Sequence, residues 1–227
     1  MKTKKLIIVG DSAFAEIAGE YFAVDTHYEV VAFSVESAYL KQVQLQGLPV
    51  VPFETLEQTH APENHEVFVA ITYTQLNRLR TRLVSAAKKK GYRLASYISP
   101  RAFVWRNVQL GEHCFIFEDN TVQPYVKIGN NVVLWSGNHI GHHSVIRDNC
   151  FVSSHVVISG FCDIGENSFL GVNSTLANNI RLGKDNWIGP NVLISRATDP
   201  GALYSAPAID ASKVSSLRFF KIREEGA

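Results

Sequence analysis

Four of the eight histidines fall between positions 139 and 155, at His139, His142, His143 and His155. Imidazole can take up a proton near neutral pH without being driven there by burial, so this cluster is the first candidate for general-base chemistry. For His139 and His155, a place as surface corner residues is the favoured interpretation. A role for His142 depends on its neighbours in space, which depend on the fold.

An aliphatic residue recurs every six positions from Ile98 to Ile194 without a break. A fixed period of this kind marks a repeat architecture. A unit this short cannot form a helix and is too regular for a loop, so each unit is predicted to be a short strand followed by a corner. Three consecutive units make one triangular coil, and the sequence therefore predicts a parallel β-helix with stacked coils.

Two further columns accompany the aliphatic one. A glycine often follows the aliphatic residue, where we expect it to relieve the backbone at a tight corner. A small or slim residue stands four positions after the aliphatic one and is predicted to point inward. Cys150 belongs to this inward column, which favours a packed thiol over a nucleophile. The glycines are Gly111, Gly129, Gly141, Gly165, Gly171, Gly183 and Gly189.

This pattern resembles the hexapeptide-repeat acyltransferases, whose coils wind left-handed. Because parallel crossovers are generally right-handed, the left-handed winding is implied by the resemblance alone. A single prism has flat sheet faces and an open end, which proteins cover by forming trimers and by capping. We expect residues 198–227 to form a C-terminal cap or tail.

The first 97 residues alternate between strand and helix patterns, which predicts a small Rossmann-like α/β domain with a parallel sheet before the β-helix of residues 98–197. In such sheets ligands bind at the carboxyl ends of the strands. The predicted strands are Lys5–Val9, Tyr28–Val35, Glu66–Ile71 and Leu94–Ile98, and the predicted helices are Phe14–Phe22 and a segment from Leu76 that ends at Gly91.

The turn after the first strand begins at Gly10 and keeps only the first glycine of a dinucleotide-binding fingerprint. Asp11 and Glu16 would repel a closely held pyrophosphate, so the turn does not favour a nicotinamide cofactor. A plain capped turn and a ligand site both remain open. Tyr73, after the third strand, either stacks on a base or covers the end of the sheet.

The whole chain resembles the sugar O-acyltransferase group, which includes sialic-acid O-acetyltransferases and N-acetyltransferases of UDP- or dTDP-linked amino sugars. The resemblance implies an acetyl-CoA-dependent N-acetyltransferase for surface glycan (lipopolysaccharide or O-antigen) synthesis, with sugar O-acetylation as the alternative. The matching segments are Leu6–Gly10, Val31–Phe33, Val69–Ile71, Tyr97–Ala102 and Phe169–Ser174.

By this resemblance the nucleotide end of the sugar lies in the N-terminal domain. Ser12, Ala13 and Phe14 of the first turn would contribute, with Val35 and Glu36 after the second strand. Val35 departs from the paired acids that the family often has at this place.

The resemblance also implies that CoA lies in the groove between neighbouring prisms of a homotrimer. Its contacts would fall on Phe151, Val172 and Pro190. The last two are one coil apart, in one outward column, which suits a ligand lying along the prism.

The family's catalytic base is a histidine in a short motif that stands here as His142-His143-Ser144-Val145-Ile146. Gly160 follows one coil later, and its backbone N–H would polarise the thioester carbonyl. His143 replaces the family's usual acid, and a second imidazole orients the base without adding negative charge. We expect a weaker base, which favours an amine acceptor over an alcohol.

Two other functions stay open at this point. A zinc enzyme would use His139, His142 and His143 as ligands, as some β-helix enzymes do across subunits, but it leaves the N-terminal domain unexplained. A non-catalytic trimer that binds sugar nucleotides would account for the weakened first turn and the missing acid. We expect an enzyme without a metal.

Composition restricts the partners. The chain has 22 Lys and Arg against 21 Asp and Glu, which leaves no net field to attract nucleic acid or an anionic membrane. No apolar stretch is long enough to span a bilayer and no signal-peptide core is evident, so we expect a cytoplasmic protein. Three cysteines without a CxxC pair predict neither disulfides nor a zinc ribbon.

Overall fold

The computed structural model describes residues 2–222. Its N-terminal part is a six-stranded sheet in the order β3-β4-β2-β1-β5-β6, parallel except for the β3–β4 hairpin. The elements are β1 Lys4–Val9, α1 Ala13–Asp25, β2 Tyr28–Val35, a 3-10 turn Ser37–Tyr39, β3 Gln44–Leu45, β4 Leu48–Pro52, α2 Leu56–Thr59, β5 His65–Val69, α3 Arg78–Lys89 and β6 Arg93–Leu94.

The alternation predicted from the sequence is present, but several elements differ. The strands β3 and β4, the helix α2 and the 3-10 turn were not predicted, α1 extends to Asp25, and the end of β5 was placed two residues too late. The predicted strand Leu94–Ile98 is two strands: β6 ends at Leu94 and pairs with β5, whereas Tyr97–Ile98 begins the next sheet.

A three-faced prism of two-residue strands follows. Equivalent strands on each face are parallel and offset by one coil, as in the pairing of Phe115 with Val133. The first face contains β7 Tyr97–Ile98, β10 Phe115–Ile116, β13 Val133–Leu134, β16 Phe151–Val152, β19 Phe169–Leu170, β22 Trp187–Ile188 and β24 Leu203–Tyr204. The second contains β8 Phe103–Val104, β11 Thr121–Val122, β14 His139–Ile140, β17 Val157–Ile158, β20 Thr175–Leu176 and β23 Leu193–Ile194. The third contains β9 Gln109–Leu110, β12 Lys127–Ile128, β15 Val145–Ile146, β18 Asp163–Ile164 and β21 Arg181–Leu182.

The aliphatic column fills the prism axis, and all of its members from Ile116 to Ile194 are buried. Ile98, at the open end, is 42% exposed because no coil lies beneath it. Cys114, Cys150 and Cys162 are buried free thiols, as the inward column predicts.

The glycine column has a different cause from the one expected. None of its members has a left-handed φ. A Cβ on Gly141 would instead lie 2.5 Å from the carbonyl carbon of Ser159 in the next coil, and one on Gly171 would lie 2.8 Å from that of Gly189. These glycines therefore permit close stacking of coils and do not relieve the corner.

Up to residue 222, the tail covers the prism only in part, and residues 223–227 of the predicted cap lie outside the described residues. Leu203–Tyr204 adds a last strand to the first face, but residues 205–222 are exposed, including the short helix α4 Ser216–Phe219. Phe219 and Phe220, which lie in the segment expected to form the cap, are 71% and 70% exposed.

The N-terminal domain packs on the first face of the prism. Phe115, Phe151 and Phe169 of that face lie in one buried cluster with Phe14 and Phe68 of the domain. Burial of several aromatic side chains makes this the main apolar contact between the two halves.

Arg80 of α3 is fully buried at the same contact. Burial lowers the pKa of its guanidinium to about 10, and the group stays charged at neutral pH. Its five N–H donors are satisfied by amide and carbonyl oxygens from both halves of the chain. The acceptors are Asn131 Oδ1 and O, Asn149 O, Cys150 O, Ile71 O, Thr72 O and Asn77 Oδ1.

His113 completes this network in the neutral form. The backbone N–H of Val69 donates to its Nε2 at 2.8 Å, so the ring proton is on Nδ1 and is donated to Asn131 Oδ1 at 2.9 Å. Burial lowers the pKa of His113 to about 3, and the nearby Arg80 charge adds to the effect.

Replacing Arg80 by Leu should lower the free energy of unfolding by at least about 3 kcal/mol, because several buried carbonyl oxygens would lose their donor. Urea unfolding followed by circular dichroism measures this. The control is Arg78→Leu, which removes an exposed ion pair with Asp185 of the prism and should cost under about 1 kcal/mol. Equal losses in the two variants would contradict the role given to Arg80.

Folding stability should also fall between pH 6.5 and pH 3. In this window the unfolded chain binds a proton at residue 113 that the folded chain does not. The contribution of His113 to the free energy of unfolding is therefore complete above pH 6.5 and is lost as the pH falls. At about 1.36 kcal/mol per pKa unit, the loss at pH 5 is roughly 2 kcal/mol. Urea unfolding at pH 7.5 and pH 5 tests this, and His113→Gln should flatten the difference by that amount. The same pH dependence in both proteins would refute it.

Candidate active site

The corners of the prism share one backbone feature. The third residue after each aliphatic position has a left-handed φ between 57° and 77° from His113 to Asn191. Asn, Asp, His and Gly tolerate this conformation best, and they occupy most of these corners. Tyr125, with φ 64°, and Phe161, with φ 59°, are the two bulky exceptions.

Both exceptions lie on the corner between the second and third faces, one coil below and one coil above His143. The ring of His143 stacks between them, with centroid distances of 4.7 Å to Tyr125 and 4.9 Å to Phe161. A left-handed bulky residue costs on the order of 1–2 kcal/mol, and such strain is concentrated at functional sites. This corner is thus distinguished by its backbone as well as by its histidines.

His142 and His143 are joined directly. Their Nδ1 atoms are 3.1 Å apart, and the His142 ring meets Phe161 edge-on at 5.0 Å. The backbone N–H of His142 donates to Gln123 Oε1 at 2.9 Å, which fixes the main chain beneath the ring. Both histidines are exposed in the single chain, so the His142 ring is accessible to a substrate.

Gly160 lies next to His142, as the offset of one coil predicts. A Cβ at this position would come within 2.9 Å of His142 Cε1 and 3.0 Å of Nε2, so a larger residue would displace the ring from this position. Its backbone N–H is not free, however, because it donates to Asn178 Oδ1 at 3.0 Å. The expectation that this N–H binds the thioester oxygen stays a prediction, and in the free chain the group is occupied by Asn178.

The three residues expected to contact CoA fall in different places. Val172 is 42% exposed and Pro190 is exposed, and they lie one above the other on the corner between the first and second faces. Phe151 is only 3% exposed and packs between Tyr73 and Phe169 under the N-terminal domain. The Phe151 prediction is corrected, because the domain covers the face on which it lies.

A cavity of about 300 Å³ opens at the carboxyl ends of β1 and β2. Val35 and Glu36, expected there from the resemblance, line it. So does Gly10, where glycine is required because φ is 130° and a Cβ would lie 2.8 Å from Ala70 O. The other lining residues are Val9, Asp11, Ser34, Tyr39, Lys41, Ile71, Leu79 and Leu83.

The remaining residues of the first turn do not line this cavity. Ser12 and Ala13 are exposed at the start of α1. Phe14 is 2% exposed, with its ring 5.5 Å from Phe115 and 5.3 Å from Trp135, so its side chain belongs to the core. The contribution predicted for Phe14 therefore does not come from its side chain, and any role of its backbone stays a prediction.

Tyr73 lies outside the cavity as well. Its ring contacts Phe169 at 4.5 Å and Trp187 at 5.7 Å on the first face of the prism. Of the two interpretations of Tyr73, the one in which it covers other protein groups fits these contacts better than stacking on a base.

Three polar residues of the cavity were not predicted from the sequence: Ser34, Tyr39 and Lys41. Ser34 is fully buried, and its Oγ has no hydrogen-bond partner among residues 2–222. Tyr39 is 64% exposed at the rim, where its ring can pack on a flat ligand. An aromatic residue and a cation within six positions of the end of β2 were the available signal.

Glu36 is held by Arg82 of α3. The guanidinium donates to both carboxylate oxygens at 2.7 and 2.8 Å, and these hydrogen bonds lower the pKa of Glu36. The carboxylate is therefore ionised and oriented at the cavity wall at neutral pH.

Other candidate chemistries find less support. Burial raises the pKa of the Cys150 thiol to about 12, so it is protonated at neutral pH and is not a nucleophile. Within residues 2–222, no three His, Cys, Asp or Glu side chains are grouped so as to hold a metal ion. No helix in the described part of the chain is long and apolar enough to cross a bilayer.

Comparison with known proteins places this site in a recognised architecture. A family model described as bacterial transferase hexapeptide (six repeats) matches residues 125–160, which include both histidines. A comparison with curated protein sequences found no match.

Several solved structures share the whole fold. Perosamine N-acetyltransferase from Caulobacter crescentus, in complex with CoA and GDP-perosamine, has 23% identity and a TM-score of 0.79 over 88% of this chain and 92% of that one. WeeI from Acinetobacter baumannii has 17% identity and a TM-score of 0.69 over 88% and 96%. The acetyltransferase domain of PglB from Neisseria gonorrhoeae, in complex with acetyl coenzyme A, has 20% identity and a TM-score of 0.63 over 88% and 95%. These likenesses confirm the predicted fold, an α/β domain followed by a left-handed parallel β-helix.

Proposed function

We propose that the protein is an acetyl-CoA-dependent N-acetyltransferase that acetylates the amino group of a nucleotide-linked amino sugar, as expected for surface glycan synthesis. The observation that carries the proposal is the pair His142 and His143, held on a strained aromatic corner with the His142 ring against Gly160. Structures of the same fold hold CoA, acetyl coenzyme A and GDP-perosamine, which supports both substrates.

In this mechanism His142 is the general base and uses Nε2. For Nε2 to accept a proton, the hydrogen on the neutral ring must be on Nδ1, from which it is donated to Nδ1 of His143. When His142 takes the proton of the attacking amine, that bond becomes charge-assisted and stronger. The stack between Tyr125 and Phe161 keeps His143 in the orientation that this requires.

The cavity of the N-terminal domain is the proposed site for the nucleotide. Its volume is at the lower end of the range for small-molecule sites. Apolar side chains from α3 form one wall, Tyr39 offers an aromatic surface for a base, and Lys41 supplies a cation for the diphosphate. The unpartnered Ser34 hydroxyl supplies one buried hydrogen-bonding group to a ligand.

The complete site is proposed to form between copies in a homotrimer. His142 lies on the corner opposite the face that the N-terminal domain covers, so a sugar held in the cavity of one chain is directed to His142 of another. The exposed second face is the one with the apolar residues that such contact would bury, among them Phe103, Val157 and Leu193. The corresponding outward positions of the third face are mostly polar, including Lys127, Asp163 and Arg181.

Replacing His142 by Ala should lower kcat by at least about 10²-fold, the usual contribution of a positioned base. Release of free thiol from acetyl-CoA is measured with a panel of UDP-, dTDP- and GDP-linked amino sugars, and their hydroxy-sugar analogues test for O-acetylation. His27→Ala replaces an exposed histidine of the N-terminal domain and should leave kcat unchanged. Undiminished turnover in the His142 variant would refute its role, and turnover of the hydroxy analogues alone would refute N-acetylation.

Replacing Ser34 by Ala should weaken binding of the nucleoside diphosphate by about 3- to 10-fold without lowering stability. The hydroxyl makes no hydrogen bond in the free protein, so its removal costs nothing there, whereas a bound ligand would lose about one hydrogen bond. Titration calorimetry and thermal melting measure the two effects. The matched control is Ser174→Ala, which removes another unpartnered buried hydroxyl, inside the β-helix. Equal affinities in the two variants would exclude Ser34 from the site.

A further inference from the structure

The Asn178 carboxamide lies beside the glycine against which the ring of His142 packs. Its Oδ1 accepts the backbone N–H of Gly160, and the ring of His142 lies against that same glycine. Asn178 is exposed, so its side chain is accessible to a substrate on this corner.

The orientation of this carboxamide is determined by its partner. A backbone N–H can only donate, so the atom that receives it must be Oδ1, and the Nδ2 amino group is turned away from Gly160. Among residues 2–222, Nδ2 of Asn178 makes no hydrogen bond. Two N–H donors therefore remain available on the corner that carries His142.

Equivalent positions in the chain show that an amide side chain is not needed to accept the backbone N–H at this point of the repeat. On the corner between the third and first faces, Asn130 Oδ1 accepts the N–H of Glu112 at 3.0 Å, and Asp148 Oδ1 accepts the N–H of Asn130 at 2.8 Å. Position 178 is equivalent to both in the repeat. Since Asp148 performs the same backbone contact with a carboxylate, the amino group of Asn178 is not required by this contact and is available for another one.

We propose that Asn178 is a catalytic residue whose Nδ2–H donates to the thioester oxygen, in place of the occupied Gly160 N–H. This inference rests on the proposed function. The amine lone pair forms a C–N bond to the thioester carbon, the C=O π pair moves to oxygen, and the oxyanion accepts the hydrogen bond from Nδ2. The amine proton passes to His142 Nε2. The oxyanion then restores the C=O bond, the C–S pair leaves on sulfur, and His142 returns the proton to give the CoA thiol.

The test compares Asn178→Asp and Asn178→Ala with the wild type. Aspartate preserves the acceptor for Gly160 but cannot donate, and alanine frees the Gly160 N–H. Both should lower kcat by about 10²-fold with little change in the affinity for acetyl-CoA. The control is Asp148→Asn, the reverse exchange of the same two side chains at the equivalent position on another corner. This variant should keep full activity.

A second readout does not depend on the acceptor sugar. Infrared spectra of carbonyl-labelled acetyl-CoA bound to each protein report hydrogen bonding to the thioester oxygen. We expect a lowered stretching frequency in the wild type and in Asp148→Asn, and its loss in both Asn178 variants.

The possible outcomes separate the two proposals. A lowered frequency that Asn178→Ala retains, or turnover of either variant within about 3-fold of wild type, would overturn the role of Asn178. A frequency shift lost in both variants, without turnover of any amino sugar, would support Asn178 and overturn the amino-sugar acceptor. Absence of acetyl-CoA binding to the wild type would overturn both.

Discussion

Hydrogen bonding between coils, with a constant offset of three repeat units, is the constraint on which the rest of the structure depends. It brings residues that are distant in sequence into contact, and it does so in the same way along the whole prism. His142, Gly160 and Asn178 meet because they occupy one column of this lattice. The lattice also explains why small residues are needed at its corners, where successive backbones lie within van der Waals contact.

The same regularity makes departures from it informative. Asn, Asp, His and Gly supply the left-handed corners at low cost, so Tyr125 and Phe161 are strained substitutes. Their rings enclose His143, which in turn reaches His142 through Nδ1. The strain at these two corners thus comes with a stacking arrangement that fixes the orientation of His143, which has no carboxylate to orient it.

The β-helix was predictable because one aliphatic residue recurs at a fixed period. The members of this column from Ile116 to Ile194 are all buried, so the period alone identifies the buried positions. The neighbourhood of His142 and Gly160 followed from the same period. The state of the Gly160 N–H did not, because a hydrogen bond from the flexible side chain of Asn178 leaves no pattern in the sequence. Nor did the burial of Phe151, since an outward position in a prism looks the same whether solvent or another domain covers it.

The contact between the two halves of the chain shows why burial between domains cannot be predicted from the sequence. Arg80 has the sequence appearance of a solvated helix residue, yet it is buried and bound to carbonyl oxygens of the prism corner. Those carbonyls are present in any β-helix, so only their geometry distinguishes them as a binding site for a guanidinium. Once α3 is fixed there, the N-terminal cavity and the His142 corner are held on different sides of the prism. Under the proposed function, a chain arranged in this way would separate nucleotide recognition from transfer chemistry, and a neighbouring copy would bring the two together.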